Sequence, residues 1–155
     1  MSPKGNPNEK VVASNRRARF DYEIQDIFEA GIVLTGPEVK SVRAGQVSLS
    51  ESFARIQGGE VWLEGMHVAR YEQAKERQDE RRPRKLLMHR REIDKLVGKT
   101  AEQGLTLVPM RLYFAHGIAK VELGLGKGKR RHEKRQAIAE REASREIERN
   151  IGRRR

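Results

Sequence analysis

Between Phe20 and Gly126 the apolar residues come in short alternating runs that are broken by turn residues. Alternation with a period of two is typical of half-buried β-strands. Three stretches predict strands or strand pairs: residues 20–36, 52–66 and 104–126. No long helical segments separate them, so antiparallel pairing is favoured over a parallel α/β sheet. We therefore expect a mainly β fold, a small closed or partly closed antiparallel barrel of about six strands.

Turn residues indicate where these strands reverse. Gly58 and Gly59 predict the turn of a hairpin within residues 52–66. His116–Gly117 predicts the turn between the last two strands, and Pro109 suggests an edge or a bulge. Gly31 indicates a bulge or a tight turn, so that residues 20–36 are either two strands or one long bent strand.

Two short helices are expected between the strands. Residues 35–45 predict the first, with Thr35 as a candidate cap. Residues 87–99 predict the second, which Gly98 would end. Residues 72–85 are almost wholly polar and predict a long exposed loop.

The charge distribution divides the chain. The formal net charge is +11, and residues 127–155 hold 12 Lys and Arg against 5 Glu, a net charge of +7. We predict a flexible N-terminal arm over residues 1–14, a barrel domain over residues 15–126 and a basic C-terminal tail over residues 127–155. A basic terminal block favours a polyphosphate partner, and a merely solvating tail is the alternative.

Arginine recurs every fourth residue in the tail, at Arg141, Arg145, Arg149 and Arg153. On a helix this spacing makes one basic stripe, but the accompanying apolar line is too thin to dock on a barrel. A lone helix of this length is marginal in water. We expect a tail that is disordered alone and helical against a polyanion, the alternative being a solvated helix that is always formed.

The sequence gives no sign of catalysis. It contains no Cys, and the four histidines are too far apart for a zinc motif: His67, His89, His116 and His132. The "GLGKGK" stretch over residues 124–129 fits no phosphate-binding loop and predicts a flexible hinge. We expect no enzyme, no metal and no cofactor. No run of about twenty apolar residues or signal segment occurs, which predicts a soluble, cytoplasmic protein without a membrane partner.

A second basic cluster precedes the first predicted strand. It consists of Asn15, Arg16, Arg17 and Arg19, and the aromatic residues Phe20 and Tyr22 follow it. Both aromatic side chains could belong to the core, so a stacking platform for single strands is poorly supported. Recognition of structured RNA by shape and backbone fits the cluster better.

Several long motifs resemble a known family. "NRRARFDYEIQDIFEAGIVLTGPEVKSVRAG", "RPRKLLMHRREIDKLVGK", "GLTLVP" and "GKGKRRHEKRQAIAERE" are similar to the small protein B family of bacteria, the SsrA-binding or tmRNA-binding proteins. The resemblance runs in unbroken order from about Asn15 to Arg149. It implies an OB-type barrel with flanking helices and a tail that is disordered in free solution.

The resemblance also implies a function. The family binds the tRNA-like domain of tmRNA and takes the place of its missing anticodon arm. It delivers alanyl-tmRNA, together with elongation factor Tu and GTP, to ribosomes stalled on truncated messages. The tail then lies as a helix in the empty mRNA channel. A member of this family would be an adaptor in trans-translation and no catalyst.

Matching motifs assign residues to two RNA contacts. Those implied to face tmRNA are Asn15, Arg16, Arg17, Arg19, Glu29, Glu38, Lys40, Arg43, Arg84 and Lys85. Those implied to meet ribosomal RNA at the decoding centre and mRNA channel are Lys127, Lys129, Arg130, Arg131, His132, Glu133, Lys134, Arg135, Arg141 and Arg145. The two tmRNA-facing carboxylates would orient arginines or accept from a base or ribose hydroxyl. A helix first-turn carboxylate is an equally good interpretation of Glu38.

Two positions depart from the usual family pattern. Glu133 stands where Asp is usual, and Phe20 stands where a polar residue is frequent. One alternative to the adaptor is a generic OB-fold RNA chaperone or ribosomal protein with a non-specific basic tail. Another is an RNA-processing enzyme, which lacks any acid–base or metal-binding group of residues here.

Overall fold

The computed structural model describes residues 9–72, 79–129, 139, 141–147 and 149. Within them lie nine strands: β1 (Glu9–Ser14), β2 (Tyr22–Ile32), β3 (Val47–Ser48), β4 (Phe53–Gln57), β5 (Glu60–Glu64), β6 (His67–Val68), β7 (Arg84–Leu87), β8 (Thr106–Ala115) and β9 (Ile118–Gly128). The helices of the barrel region are α1 (Ala18–Asp21), α2 (Gly36–Arg43) and α3 (Arg90–Gln103).

Six of these strands form a closed antiparallel ring. The order is β8, β4, β5, β7, β2 and β9, and β9 pairs back onto β8. Strand β1 pairs with the C-terminal half of β8, beside the ring, and β3 pairs with β6 in a separate two-stranded sheet. The predicted mainly β fold with a small closed barrel is confirmed.

Alternation along the strands builds the core inside the ring. On β2, Phe28, Ala30 and Ile32 point inward and are buried, whereas Glu29 between them lies on the outer wall. The same period places Val121, Leu123 and Leu125 of β9 in the core. Residues of the opposite parity therefore face outward, away from this core.

Local signals gave the correct prediction for α2 and the first hairpin. The Thr35 side chain accepts from the backbone N–H of Glu38 at 3.4 Å, and the Glu38 carboxylate accepts from the backbone N–H of Thr35 at 3.0 Å. This reciprocal capping box satisfies two free donors at the helix start. Gly58 and Gly59, both at positive φ, turn the chain between β4 and β5 as expected.

The predicted flexible arm over residues 1–14 is wrong for Glu9–Ser14, which form β1. Residues 1–8 lie outside the described residues. The structure also carries the barrel beyond residue 126, because β9 continues to Gly128. The predicted hinge over residues 124–129 is therefore strand up to Gly128, paired with the first half of β2.

Three other boundaries differ from the prediction. Residues 20–36 contain the end of the short helix α1 and one long strand, and the register shift falls between Ile24 and Asp26 rather than at Gly31. Helix α3 does not end at Gly98 but continues to Gln103, where Gly104 adopts a left-handed conformation with φ of 63°. A single glycine costs a helix about 1 kcal/mol, which packing of Leu96 against the core can offset.

Gly126 is required by a close approach of two backbones. A Cβ at this position would lie 2.6 Å from the carbonyl oxygen of Glu23 on the paired strand. We expect Gly126→Ala to lower the free energy of unfolding by about 1–3 kcal/mol, as other overpacking changes do. Chemical denaturation of the purified variant measures this loss.

Gly128→Ala is the matched control for that experiment. Gly128 lies on the same strand, and a Cβ there would have no neighbour within 4 Å. Its variant should unfold within about 0.5 kcal/mol of the parent. Equal losses at the two glycines would contradict the steric explanation.

Candidate nucleic-acid interface

The basic cluster of Asn15, Arg16, Arg17 and Arg19 surrounds α1 at one end of the barrel. The Asn15 side-chain amide donates to the carbonyl oxygen of Pro109 at 3.1 Å. The backbone N–H of Asn15 donates to the carbonyl oxygen of Met110 at 2.8 Å. These bonds fix the start of α1 against β8. The three arginines are exposed, and Arg17 forms a 3.7 Å ion pair with Asp21.

The root of the basic tail lies at this same end. The Lys129 side chain donates to the carbonyl oxygen of Arg19 at 2.9 Å. The backbone N–H of Lys129 donates to the carbonyl oxygen of Asp21 at 2.9 Å. Lys127 is exposed and lies opposite Glu23 in the sheet register. Five cations thus gather around α1 and the tail root: Arg16, Arg17, Arg19, Lys127 and Lys129.

Glu29 belongs to a different surface, on the outer wall near the other end of the barrel. Its side chain is 54% exposed, and the Lys120 ammonium lies 3.9 Å from one carboxylate oxygen. Both residues line an open cleft with two exposed apolar side chains, Leu87 and Ile118. The cleft offers cationic, anionic and apolar contacts side by side.

Helix α2 carries two exposed cations, of which Arg43 lies near this cleft. The Arg43 guanidinium lies 5.0 Å from the centroid of the Phe114 ring and donates to the carbonyl oxygen of Gly117 at 3.4 Å. Gly117 precedes Ile118, which lines the cleft. Lys40 is exposed on the same helix, with its ammonium 5.0 Å from the centroid of the Tyr71 ring.

The residues implied to face tmRNA therefore fall into two groups. Asn15 contacts β8 at Pro109 and Met110, whereas Arg43 contacts it at Phe114. At about 3.3 Å per residue, these points are about 13–17 Å apart along the strand. We call the first group the tail-root surface and the second the Glu29 surface.

Glu38 and Arg84 lie on neither surface, because both are buried. Arg84 is 0% exposed, and its guanidinium donates to Glu38 at 2.7 Å and to the carbonyl oxygens of Met66 at 2.8 Å and Glu80 at 3.1 Å. The expectation that Arg84 begins an RNA-facing stretch at the end of an exposed loop is corrected. It lies at the start of strand β7, with its donors directed at the protein itself.

Glu38 joins α2 to the segment before β7. Its carboxylate accepts hydrogen bonds from the Arg82 and Arg84 side chains and from the Thr35 backbone N–H. This is a helix first-turn carboxylate that also orients two arginines. Lys85, the next implied contact, is partly exposed and forms a 2.9 Å ion pair with Glu60.

The Glu38 pairing makes stability depend on pH. Burial acts to raise the pKa of Glu38, but hydrogen bonds from Arg82, the Thr35 backbone and Arg84 outweigh it and hold the pKa below the ordinary value of 4.5. The stabilisation is then complete above pH 4.5 and is lost as pH falls through the folded-state pKa. We expect the stability difference between the parent and Glu38→Gln to shrink between pH 7 and about pH 3. Denaturant titrations at both pH values test this, and an unchanged difference would contradict it.

Most of the implied ribosome contacts lie outside the described residues: Arg130, Arg131, His132, Glu133, Lys134 and Arg135. Residues 141–147 are helical, and Arg141 and Arg145 are exposed on that helix, one turn apart. Because the two arginines are four residues apart, they lie on the same side of this helix. Disorder of the free tail remains a prediction.

Among the described residues, no three acidic or histidine side chains are grouped so that they could hold a metal ion. None of the described helices is both long and apolar enough to span a membrane. The model of the SmpB protein family matches residues 12–153.

This chain belongs to the SmpB family.

Two curated relatives agree with this membership. The SsrA-binding protein of Acidothermus cellulolyticus is 60% identical over 146 residues, covering 94% of this chain and 92% of the relative. The SsrA-binding protein of Carboxydothermus hydrogenoformans is 56% identical over 144 residues, covering 92% and 97%. SmpB proteins are RNA-binding adaptors and not enzymes, so the expectation of a non-catalytic protein is confirmed by the family.

A solved structure gives the same family. One chain from "tmRNA-SmpB: a journey to the center of the bacterial ribosome" superposes with a TM-score of 0.63 at 51% identity. The match covers 81% of this chain and 92% of the solved chain. It supports the barrel and helices described above for this SmpB-family member.

Sequence reasoning missed two residues that the SmpB-family barrel brings beside the implied contacts. Lys120 lines the cleft next to Glu29, and Arg82 pairs with Glu38. Lys120 has outward parity on its strand, which was a usable signal once the strand was known. The sequence gave no such signal for Arg82, because its partner Glu38 is 44 residues away in the chain.

Proposed function

We propose that this chain is a tmRNA-binding adaptor in trans-translation, which holds the tRNA-like domain of tmRNA on its barrel and meets the ribosome with its tail. One observation carries the proposal: the contacts that Asn15 and Arg43 make with β8, one from each surface, lie about 13–17 Å apart along that strand. An adaptor requires two such contact regions. The name SsrA-binding protein and the ribosome structure that contains a similar chain support these partners.

The Glu29 surface binds the tRNA-like domain. Lys40, Arg43 and Lys120 are cations that match phosphate oxygens. The Glu29 carboxylate accepts from a base amine or a ribose hydroxyl. Leu87 and Ile118 supply apolar contact at the centre of the cleft. Such a surface recognises the shape of folded RNA and its 2′-hydroxyls.

The tail-root surface faces the ribosome. We reassign its arginines, which the motifs imply to face tmRNA, to ribosomal RNA near the decoding centre, because the two tail lysines, Lys127 and Lys129, lie beside them at this end of the barrel. The rest of the tail enters the empty mRNA channel as a helix whose arginine stripe contacts phosphates. The helix at residues 141–147 supports this, since Arg141 and Arg145 stand on one side of it.

The barrel takes the place of the anticodon arm that tmRNA lacks. The complex brings alanyl-tmRNA to the stalled ribosome together with elongation factor Tu and GTP. This chain meets that factor only indirectly, through the aminoacylated RNA. The process places the protein in the cytoplasm, with the translating ribosomes.

Neutralising Glu29 tests the RNA surface. We expect Glu29→Gln to weaken binding of the tRNA-like domain about tenfold or more, because a hydrogen bond to a charged acceptor contributes about 1.5–3 kcal/mol. Fluorescence anisotropy of labelled RNA measures the dissociation constant. An unrelated structured RNA of the same length gives the specificity ratio.

Asp26→Asn is the matched control on the same strand. Asp26 is a partly exposed carboxylate whose lysine partner, Lys99, lies 3.8 Å away, close to the 3.9 Å that separates Glu29 and Lys120. Its variant should bind RNA as the parent does. Equal binding of the tRNA-like and unrelated RNAs by the parent would instead indicate a generic RNA chaperone.

A further inference from the structure

A polar network covers the outer wall of the barrel behind Glu29. Its members come from four strands and are Glu9, Glu29, Arg111, Tyr113, Lys120 and Glu122. They lie on the strand faces opposite the core, yet several are deeply buried. Tyr113 is 2% exposed and Glu122 is 7% exposed. Buried polar groups on an outer wall need partners, and here the partners are one another.

Tyr113 connects β8 to β2 across the intervening strand β9. In the register, Tyr113 lies opposite Lys120, and Lys120 lies opposite Gly31, two residues after Glu29. The Tyr113 hydroxyl donates to the Glu29 carboxylate. Burial, together with this hydrogen bond, raises the pKa of Tyr113, so the phenol stays protonated and remains a donor.

Arg111 holds the tyrosine ring in place. Its guanidinium lies 4.2 Å from the centroid of the Tyr113 ring. It is held in turn by Glu9 of β1 at 3.0 Å and by Glu122 of β9 at 3.3 Å. Both carboxylates therefore fix the guanidinium, and the guanidinium fixes the ring.

Burial differs sharply among the members of this network. Tyr113 is buried, the Arg111 side chain is 16% exposed, and the Glu29 side chain is 54% exposed. An exposed carboxylate ordinarily samples several rotamers, and that freedom is lost when it binds a partner. A buried hydroxyl that already holds one oxygen reduces this loss. The other oxygen is then directed toward Lys120 and the cleft.

We infer that Tyr113 is a positioning residue for RNA recognition, which acts by fixing the Glu29 carboxylate toward the bound RNA. Arg111 and, through it, Glu9 of the N-terminal strand support this role. The inference rests on the proposed function, since it concerns the same RNA surface. It adds a residue that does not touch the RNA and a contribution from β1, about 20 positions before Glu29 in the chain.

Tyr113→Phe tests the inference, because it removes the hydroxyl and leaves the ring beneath Arg111. We expect binding of the tRNA-like domain to weaken about threefold to tenfold, as for loss of one preorganising hydrogen bond. In a Glu29→Gln background the same change should have less than about a twofold effect. Anisotropy titrations of the parent, both single variants and the double variant give this cycle.

A merely structural role would give a different pattern. If Tyr113 acted only on general stability, its loss would weaken binding equally in both backgrounds, and this would overturn the inference. Tyr22→Phe, at the tail-root end, is the matched control and should leave binding unchanged. Thermal unfolding of each variant shows whether the barrel is intact at the assay temperature.

The cycle also separates failure of the inference from failure of the proposed function. If Glu29→Gln weakens binding and Tyr113→Phe does not, the positioning role is overturned and the RNA surface stands. If Glu29→Gln has no effect, the Glu29 surface and the positioning role are both overturned. If the parent does not prefer the tRNA-like domain over unrelated RNA, the proposed function itself is overturned.

Discussion

Replacement of Glu38 by Gln is expected to lower the free energy of unfolding by about 3–5 kcal/mol, because it leaves a buried guanidinium without its counter-charge. Arg84 is 0% exposed, and Glu38 is 5% exposed. The Gln side chain retains an oxygen that can accept from the backbone N–H of Thr35, as the Gln of a capping box does. The loss therefore reports the pairing with arginine rather than the helix cap. Urea denaturation followed by circular dichroism at pH 7 measures it.

Glu60→Gln provides the control for this stability change. Glu60 also pairs with a basic residue, Lys85, at 2.9 Å, but its side chain is 43% exposed. Exposed pairs contribute less than about 1 kcal/mol. A loss at Glu38 no larger than the loss at Glu60 would contradict the view that this buried pair holds α2 against β7.

Deletion of residues 130–155 is expected to abolish tagging of proteins on stalled ribosomes while leaving the barrel folded. The proposed role of the tail is to fill the mRNA channel, and the deletion removes this segment. The deletion begins after Lys129 because Lys129 bonds to Arg19 and Asp21 and belongs to the barrel surface. A reconstituted translation reaction on a message without a stop codon measures tagging.

A thermal unfolding experiment provides the control for this deletion. None of the strands or helices of the barrel includes a residue after Gly128, so the described barrel should unfold at nearly the same temperature with or without the tail. Normal tagging by the shortened protein would contradict the division of labour between barrel and tail.

The parts of the fold that depend on local signals could be predicted from the sequence. The α2 helix was predicted with Thr35 as its cap, and the first hairpin was predicted from Gly58 and Gly59. In both, the determining contacts join residues only a few positions apart. Pro109, which suggested an edge or a bulge, lies at a register shift between β8 and β9.

The parts that depend on distant partners could not be predicted. Glu9–Ser14 looked flexible because the strand with which they pair, β8, lies about a hundred residues later in the chain. Arg84 looked like part of an exposed loop, since nothing nearby showed that Glu38 would neutralise it 46 residues away. A charged residue in a polar segment gives no sign of burial unless its partner is known.

The candidate site was predictable in composition but not in arrangement. The arginines around Arg17 and the lysine and arginine of α2 were recognised from motifs. The separation of the two surfaces follows from the positions on β8 that Asn15 and Arg43 contact, the middle of the strand and its C-terminal part. The hydrogen bond from Tyr113 to Glu29 links residues 84 positions apart, and no periodicity indicates it.

The most direct test of the central claim is the binding of full-length protein and of residues 1–129 to the tRNA-like domain of tmRNA, with bulk tRNA as competitor. The titration is made at about 150 mM salt, where weak surface electrostatics are screened. The account predicts that both proteins bind the tRNA-like domain selectively and with similar affinity, because recognition lies on the Glu29 surface. Loss of selective binding with the tail would contradict it and would make the tail charge the RNA anchor.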